Sequence, residues 1–318
     1  MIVADGKTWE FNMNEPSHIP VLFHEVLAIL QPSRDGRYID GTVGAGGHTA
    51  GILQESAPTG RVLAFDKDPE AISYAQTQLA DFQDRVTYVN ASYTKMGRFA
   101  PQMGFSEPDG IVLDLGLSSR QLNNPERGFS FMKEGPLDMR FNPNKGKSAA
   151  DLVNNLSEAE LADIFWRYGE EKQSRKIARV IVEQRPFTTT TQLADAIASN
   201  VKTNKRIHPA TQVFQALRIA VNHELEDVEK GIMAAIDLLP SGGRLAVISF
   251  HSLEDRFVKQ TFRTLSKDNT PPPGYPVDEN SGPATLRLMT RKAIQASSIE
   301  INQNPRSRSA RLRIVQKL

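Results

Sequence analysis

The sequence predicts an α/β protein, a doubly wound parallel sheet with an all-helical domain inserted into it, on three observations. Short apolar runs alternate with helical segments from residue 24 to residue 115, the pattern of strands joined by crossover helices. The stretch Tyr38 to His48 passes from an apolar strand straight into Gly41, Gly44, Gly46 and Gly47. Glycine there allows a sharp turn and brings backbone N–H groups against a ligand. More than a hundred residues then separate the strand-like run ending at Leu115 from the next one at Gly243, far too many for a single crossover.

Taken in order, residues 1–17 mix polar residues with Gly and Pro and are expected to form a loose extension. A helix at 24–30 follows, then strand 37–41, helix 47–56, strand 61–66, helix 69–80, strand 85–90 and strand 110–115. In the long interval Ser157 with Glu160 has the form of a capping box and opens a helix through Tyr168. Further helices are expected at 171–184, 190–200 and 209–222. The segment 224–242 leads to a fifth strand, 243–250, and the alternating run 311–315 can close the sheet. The division expected is a Rossmann-like domain over 18–120 and 222–318, with a helical substrate-recognition insert over 121–221.

With 318 residues, 39% of them hydrophobic, the chain can bury a sizeable core. No run of eighteen apolar residues and no basic-then-apolar leader is present, so a soluble, cytoplasmic protein without membrane contact is expected. Zero cysteines exclude disulfides, thiolate metal sites and cysteine nucleophiles, and the six histidines are scattered, so no bound metal is expected. A net charge of +1 neither demands nor excludes a nucleic-acid partner. Position must decide. Lys172, Arg175, Lys176 and Arg179 share one helix face, either as a solvated stripe beside Glu170 and Glu171 or as a phosphate-binding one. Lys202, Lys205, Arg206 and His208, and Arg306, Arg308, Arg311 and Arg313, extend the second reading.

The glycine loop narrows its ligand. Twenty residues after Gly46, the strand Arg61 to Asp66 ends in a carboxylate, where a Rossmann-type fold places its ribose-binding acid. A dinucleotide fingerprint requires a small third residue, and counting from Gly44 and Gly46 that position is Thr49. The remaining pattern, Asp40, then Gly44-x-Gly46, then Asp66, resembles the S-adenosylmethionine loop of class I methyltransferases, which usually has a further glycine where this chain has Thr42.

The fourth strand and its exit, Asp109-Gly110-Ile111-Val112-Leu113-Asp114-Leu115-Gly116-Leu117-Ser118-Ser119-Arg120-Gln121-Leu122, is more distinctive. It resembles the bacterial small-subunit rRNA methyltransferases acting on N4 of cytidine, the RsmH/MraW family. His18-Ile19-Pro20-Val21-Leu22, Asp40 to His48, Glu126 to Phe131, Gly135 to Arg140 and Ser249 to Arg256 carry the same resemblance, which covers residues 18–318. It implies S-adenosylmethionine as donor, held by the loop of Gly44, Gly46, Gly47 and His48, by Asp66, by Tyr93 against the adenine, and by Asp114 and Gln121. The family often has Phe at Tyr93 and Pro at Arg120. The implied target is a cytidine of 16S rRNA in the decoding centre of the small subunit; a homodimer is left open.

Methyl transfer needs in-line approach and exclusion of water. Cytosine N4 is a poor nucleophile, so a group accepting its hydrogens should help. Asp114 is the first candidate for that catalytic part. Asp138 is the second, with pairing to Arg140 as its other use. Arg127 and His251 are candidate phosphate or base contacts, or ties between the two domains. Two rival classes remain: a non-catalytic RNA-binding or assembly protein, and a methyltransferase of small molecules or another nucleic acid.

Overall fold

The computed structural model describes residues 20–201, 207–270 and 282–318. The expected extension at 1–17 and the basic residues Lys202, Lys205 and Arg206 lie outside the described residues. The first half runs α1 (Phe23–Leu30), β1 (Arg37–Asp40), α2 (Gly47–Glu55), β2 (Arg61–Phe65), α3 (Pro69–Gln78), β3 (Val86–Val89), α4 (Met96–Gln102) and β4 (Gly110–Asp114). Six helices follow, α5 (Ser119–Asn123), α6 (Ala149–Asn155), α7 (Glu158–Gly169), α8 (Ser174–Glu183), α9 (Thr190–Asn200) and α10 (Thr211–Asn222). The chain then returns through α11 (Glu224–Leu238), β5 (Arg244–Ser249), α12 (Ser252–Leu265), β6 (Leu286–Leu288), α13 (Ser298–Gln303) and β7 (Arg311–Lys317).

The strands form one sheet in the order β3-β2-β1-β4-β5-β7-β6. Its first five members are parallel in the doubly wound order, and β7 runs antiparallel between β5 and β6. Both faces are covered, which is why the strands read as continuous apolar runs. Successive residues point to opposite faces. Tyr38, Val62, Ala64, Val112 and Ile248 face the core shared with α1 and α2. Ile39, Leu63, Phe65, Ile111, Leu113 and Val247 face the core shared with α4, α11 and α12. A third core, from Phe129 to Leu217, contains no sheet residue and is built by α6 to α10 together with Phe129, Leu137 and Met139 of the segment before them.

Several elements depart from the sequence expectation. α4, α5, α6, α13 and β6 have no counterpart in it, because segments of three to seven residues are shorter than the window in which periodicity registers. Lys172 lies in the turn before α8, where the Glu171 side chain accepts from Gln173 N at 2.8 Å, so only Arg175, Lys176 and Arg179 stand on the helix. Arg179 pairs with Glu158 at 3.6 Å. The capping box at the start of α7 is present, with Glu160 Oε2 accepting from Ser157 N at 2.8 Å. Among the described residues no helix is long and apolar enough to cross a membrane.

Candidate active site

A pocket opens at the carboxyl ends of β1, β2, β4 and β5. It spans the point between β1 and β4 where strand order reverses, the crevice in which doubly wound sheets hold ligands. β1 delivers Asp40, which is buried and accepts from Thr49 Oγ at 2.7 Å and Thr42 N at 3.0 Å. The Thr42 hydroxyl in turn accepts from Asp114 N at 2.7 Å, tying the β1 exit to the β4 exit. Thr49, the residue that breaks the dinucleotide fingerprint, and Thr42, where the class I methyltransferase loop usually has a glycine, both serve this one polar network.

Gly44 and Gly46 hold φ of 50° and 88°, the left-handed region where an L side chain costs about 1–2 kcal/mol. Gly44 N donates to Asp66 Oδ2 at 3.0 Å, and Asp68 N donates to Oδ1 at 2.9 Å. The backbone thus fixes the Asp66 carboxylate against the pocket. Gly46 caps α2 and packs on Leu79; it shapes the turn without lining the pocket, whereas Gly44, Gly47 and His48 do line it. The first N–H groups of α2 have no partner within the helix, which suits an anionic group of a ligand.

Tyr93 opens the turn after β3 and lines the pocket. Its ring lies against Gly231 of α11, where an added Cβ would stand 2.1 Å from it. Gln121 also lines the pocket, yet both ends of its amide are engaged, Oε1 by Ser118 N at 3.0 Å and Nε2 by Asp68 at 2.8 Å.

Asp114 sits at the end of β4 with Oδ1 buried and without a hydrogen-bond partner. Both ring nitrogens of His48 are likewise unpartnered, the nearer one 3.8 Å from Asp114 Oδ2. Burial, joined by the charges of Asp40 and Glu254, pushes Asp114 up to about 8. Burial pushes Asp40 and Asp66 up to about 6 each, against the hydrogen bonds they accept. Burial pushes His48 down to about 4.

The elements on either side of β5, α11 and the β5 exit into α12, contribute a part of the pocket that the sequence did not reveal. Phe250, Glu254, Glu224 and Asp227 line it. Glu254 Oε2 accepts from Phe250 N at 2.9 Å, and Oε1 lies 3.1 Å from His251 Nε2 without the alignment of a hydrogen bond. Burial raises the Glu254 carboxyl, but His251, Arg218 and the Phe250 N–H together hold it below the usual range. The histidines are scattered in sequence, yet folding brings ligand atoms of Glu224, His251 and Glu254 within 4.8 Å of one another. Arg218 occupies both oxygens of Glu224, at 2.7 and 2.9 Å.

Most of the other candidates are engaged with partners of their own. Arg127 is a buried tie, its guanidinium on Asp68 at 2.7 Å, Glu70 at 3.2 Å and the carbonyls of Arg140 and Phe141 at 3.0 and 2.9 Å. His251 caps α12 through Nδ1. Asp138 pairs with Arg140 through two bonds of 2.9 and 2.6 Å and does not line the pocket. Arg311 and Arg313 both grip Asp255, whereas Arg306 lines the pocket and Arg308 is exposed.

The residues present fit a sulfonium donor carrying an amino acid and a nucleoside. The α2 N-terminus at the pocket suits a carboxylate, Asp66 suits ribose hydroxyls and Tyr93 an aromatic base, and Asp114, with one oxygen unpartnered, and Phe250 line the same pocket. Sheet order and pocket together define a class I S-adenosylmethionine-dependent methyltransferase.

The chain belongs to the MraW methylase family, whose profile matches residues 15–318. It is 49% identical over 308 residues to a ribosomal RNA small subunit methyltransferase H of Magnetococcus marinus, covering 95% of this chain and 98% of that one. It is 50% identical over 306 residues to that of Thermomicrobium roseum, covering 95% and 94%. Against that of Geobacter sp. strain M21 it is 47% identical over 312 residues, covering 96% and 100%.

Proposed function

We propose that the protein methylates the exocyclic N4 of a cytidine in 16S rRNA, using S-adenosylmethionine, in the cytoplasm and on the small ribosomal subunit. The observation that carries this reading is the buried, unpartnered carboxyl oxygen of Asp114 at the β4 exit, inside a pocket otherwise suited to the donor. Gly47 and His48 at the α2 N-terminus would hold the carboxylate of the methionine moiety, with Gly44 and Gly46 shaping the loop. Asp66 would take the ribose and Tyr93 the adenine. Gln121 would act mainly through Asp68, since its amide is already engaged.

The reaction forms a C–N bond at N4 as the S–CH₃ bond breaks, leaving a neutral thioether and one proton to be shed from the amine. A carboxylate at Asp114 accepts an N4–H, keeping the nitrogen lone pair aimed at the methyl carbon. The donor's positive charge favours ionised Asp114, opposing the burial that keeps it protonated otherwise. Phe250 and Leu115 help exclude water from this end of the pocket. The target base must leave its stack to reach Asp114, and the helical part of the chain, residues 121–221, would grip the surrounding RNA.

The test is transfer of labelled methyl groups to small subunits lacking the modification, with nucleoside analysis of the product. N4-methylated cytidine is expected. Label in a free nucleoside or in duplex DNA, with none in subunits, would assign the pocket to another substrate.

A further inference from the structure

Beside the donor pocket lies a second cleft of about 660 Å³ whose lining has the opposite charge character. Five carboxylates line the donor pocket, Asp66, Asp114, Glu224, Asp227 and Glu254. Among the described residues no carboxylate lines the second cleft, which instead presents Lys67, Arg140, Lys145, Lys147 and His223. The two spaces share a wall. Lys67 and Phe141 line both, with Lys67 Nζ 5.9 Å from the Phe141 ring centroid.

The cations are not equivalent. Arg140 is paired with Asp138 and Lys67 with Asp227 at 2.6 Å, so both are fixed and largely offset. Lys145 and Lys147 are exposed and make no salt bridge among the described residues. They stand on the loop between Phe141 and α6, which Arg140 also braces by donating to Gly146 O at 3.3 Å. Phe141 is half-buried; its backbone is pinned by Asn222 Oδ1 at 2.7 Å and by Arg127, and one ring face is stacked on Phe129 at 5.7 Å. A held aromatic beside a groove of cations is an arrangement that binds single-stranded RNA, with bases on the ring and phosphates on the cations.

We infer that this cleft carries the RNA strand flanking the target nucleotide, with phosphates on Lys145 and Lys147 and the neighbouring base against Phe141. The inference rests on the RNA methylation proposed above. It places RNA readout on the 140–147 loop, a segment apart from the α8 stripe.

The test compares wild type, Lys145→Gln/Lys147→Gln and Phe141→Leu for binding to a single-stranded RNA oligonucleotide spanning the target cytidine and to unmodified small subunits, across a salt series. Removing one lysine–phosphate pairing with single-stranded RNA lowers the slope of log K against log salt by about 0.7. The double lysine variant should therefore have a slope shallower by about 1.4, with donor affinity by calorimetry unchanged. Phe141→Leu should bind RNA roughly five-fold or more weakly with an unaltered slope, because stacking carries no net charge. A wild-type slope in the lysine variant would overturn the cleft assignment while RNA methylation stood. No RNA binding by wild type, to oligonucleotide or subunit, would overturn both.

Discussion

His48 Nε2 stands 3.8 Å from Asp114 Oδ2, and burial drives their proton affinities in opposite directions, His48 down to about 4 and Asp114 up to about 8. Between those values the pair is a neutral imidazole facing a protonated carboxyl. In the ligand-free protein the pair therefore carries no charge across that range, and a bound cation favours the ionised carboxylate.

Stability of the ligand-free protein should reflect this. A raised acid is more protonated folded than unfolded, so Asp40 and Asp66 withdraw stability as pH rises from about 4 to 6, and Asp114 from about 4 to 8. His48 has the opposite sign and adds stability as pH rises from about 4 to 6.5. Above pH 6.5 only Asp114 of these four still titrates. Denaturant titrations should show wild type losing stability between pH 6.5 and 8, by at most about 1.4 kcal/mol per pH unit. Asp114→Asn should flatten that decline.

Donor selectivity should follow the same group. Ionised Asp114 favours the sulfonium over the uncharged thioether product, so the ratio of their affinities should climb from about pH 6.5 to 8 and level off above about 8. Calorimetry on both ligands measures it, and a ratio constant across that range would remove Asp114 from the charge recognition.

Thr42→Val keeps the shape but deletes the hydroxyl that accepts from Asp114 N. An unsatisfied buried N–H costs about 1–3 kcal/mol, which thermal unfolding will register. Transfer should fall more than donor affinity, because Asp114 loses its anchor while Asp66 and the glycine turn keep theirs.

Arg127→Ala removes one partner from a buried pair and orphans two carbonyls. The expected loss is about 3–5 kcal/mol. Since Arg127 joins Asp68, at the start of α3, to residues 140 and 141, limited proteolysis should cut the 128–148 region faster in the variant. An unchanged digestion pattern would reduce Arg127 to a local role.

Legibility in the sequence followed from how local each cause is. β1, β2, β4 and β5 showed because strands buried on both faces read as apolar runs. The glycine turn and Asp66 showed because one loop contains the first and one strand end the second. The acidic wall did not. Glu224 follows His223, whose φ of 53° breaks α10 from α11, and it meets Glu254 only after the chain has passed through β5. Lys67 and Asp227 are 160 residues apart yet form an ion pair of 2.6 Å that no spacing announces. Arg311 and Arg313 have the look of nucleic-acid cations in sequence, but their alternation on β7 serves to clasp Asp255 on α12.

The most direct measurement is donor affinity and methyl transfer to small subunits, determined side by side for Asp114→Asn. Donor binding is expected within about tenfold of wild type, and transfer reduced by about the 10²–10⁴-fold of a missing proton acceptor. Transfer retained near the wild-type rate would contradict a catalytic Asp114, and donor binding abolished together with transfer would make it a donor ligand only.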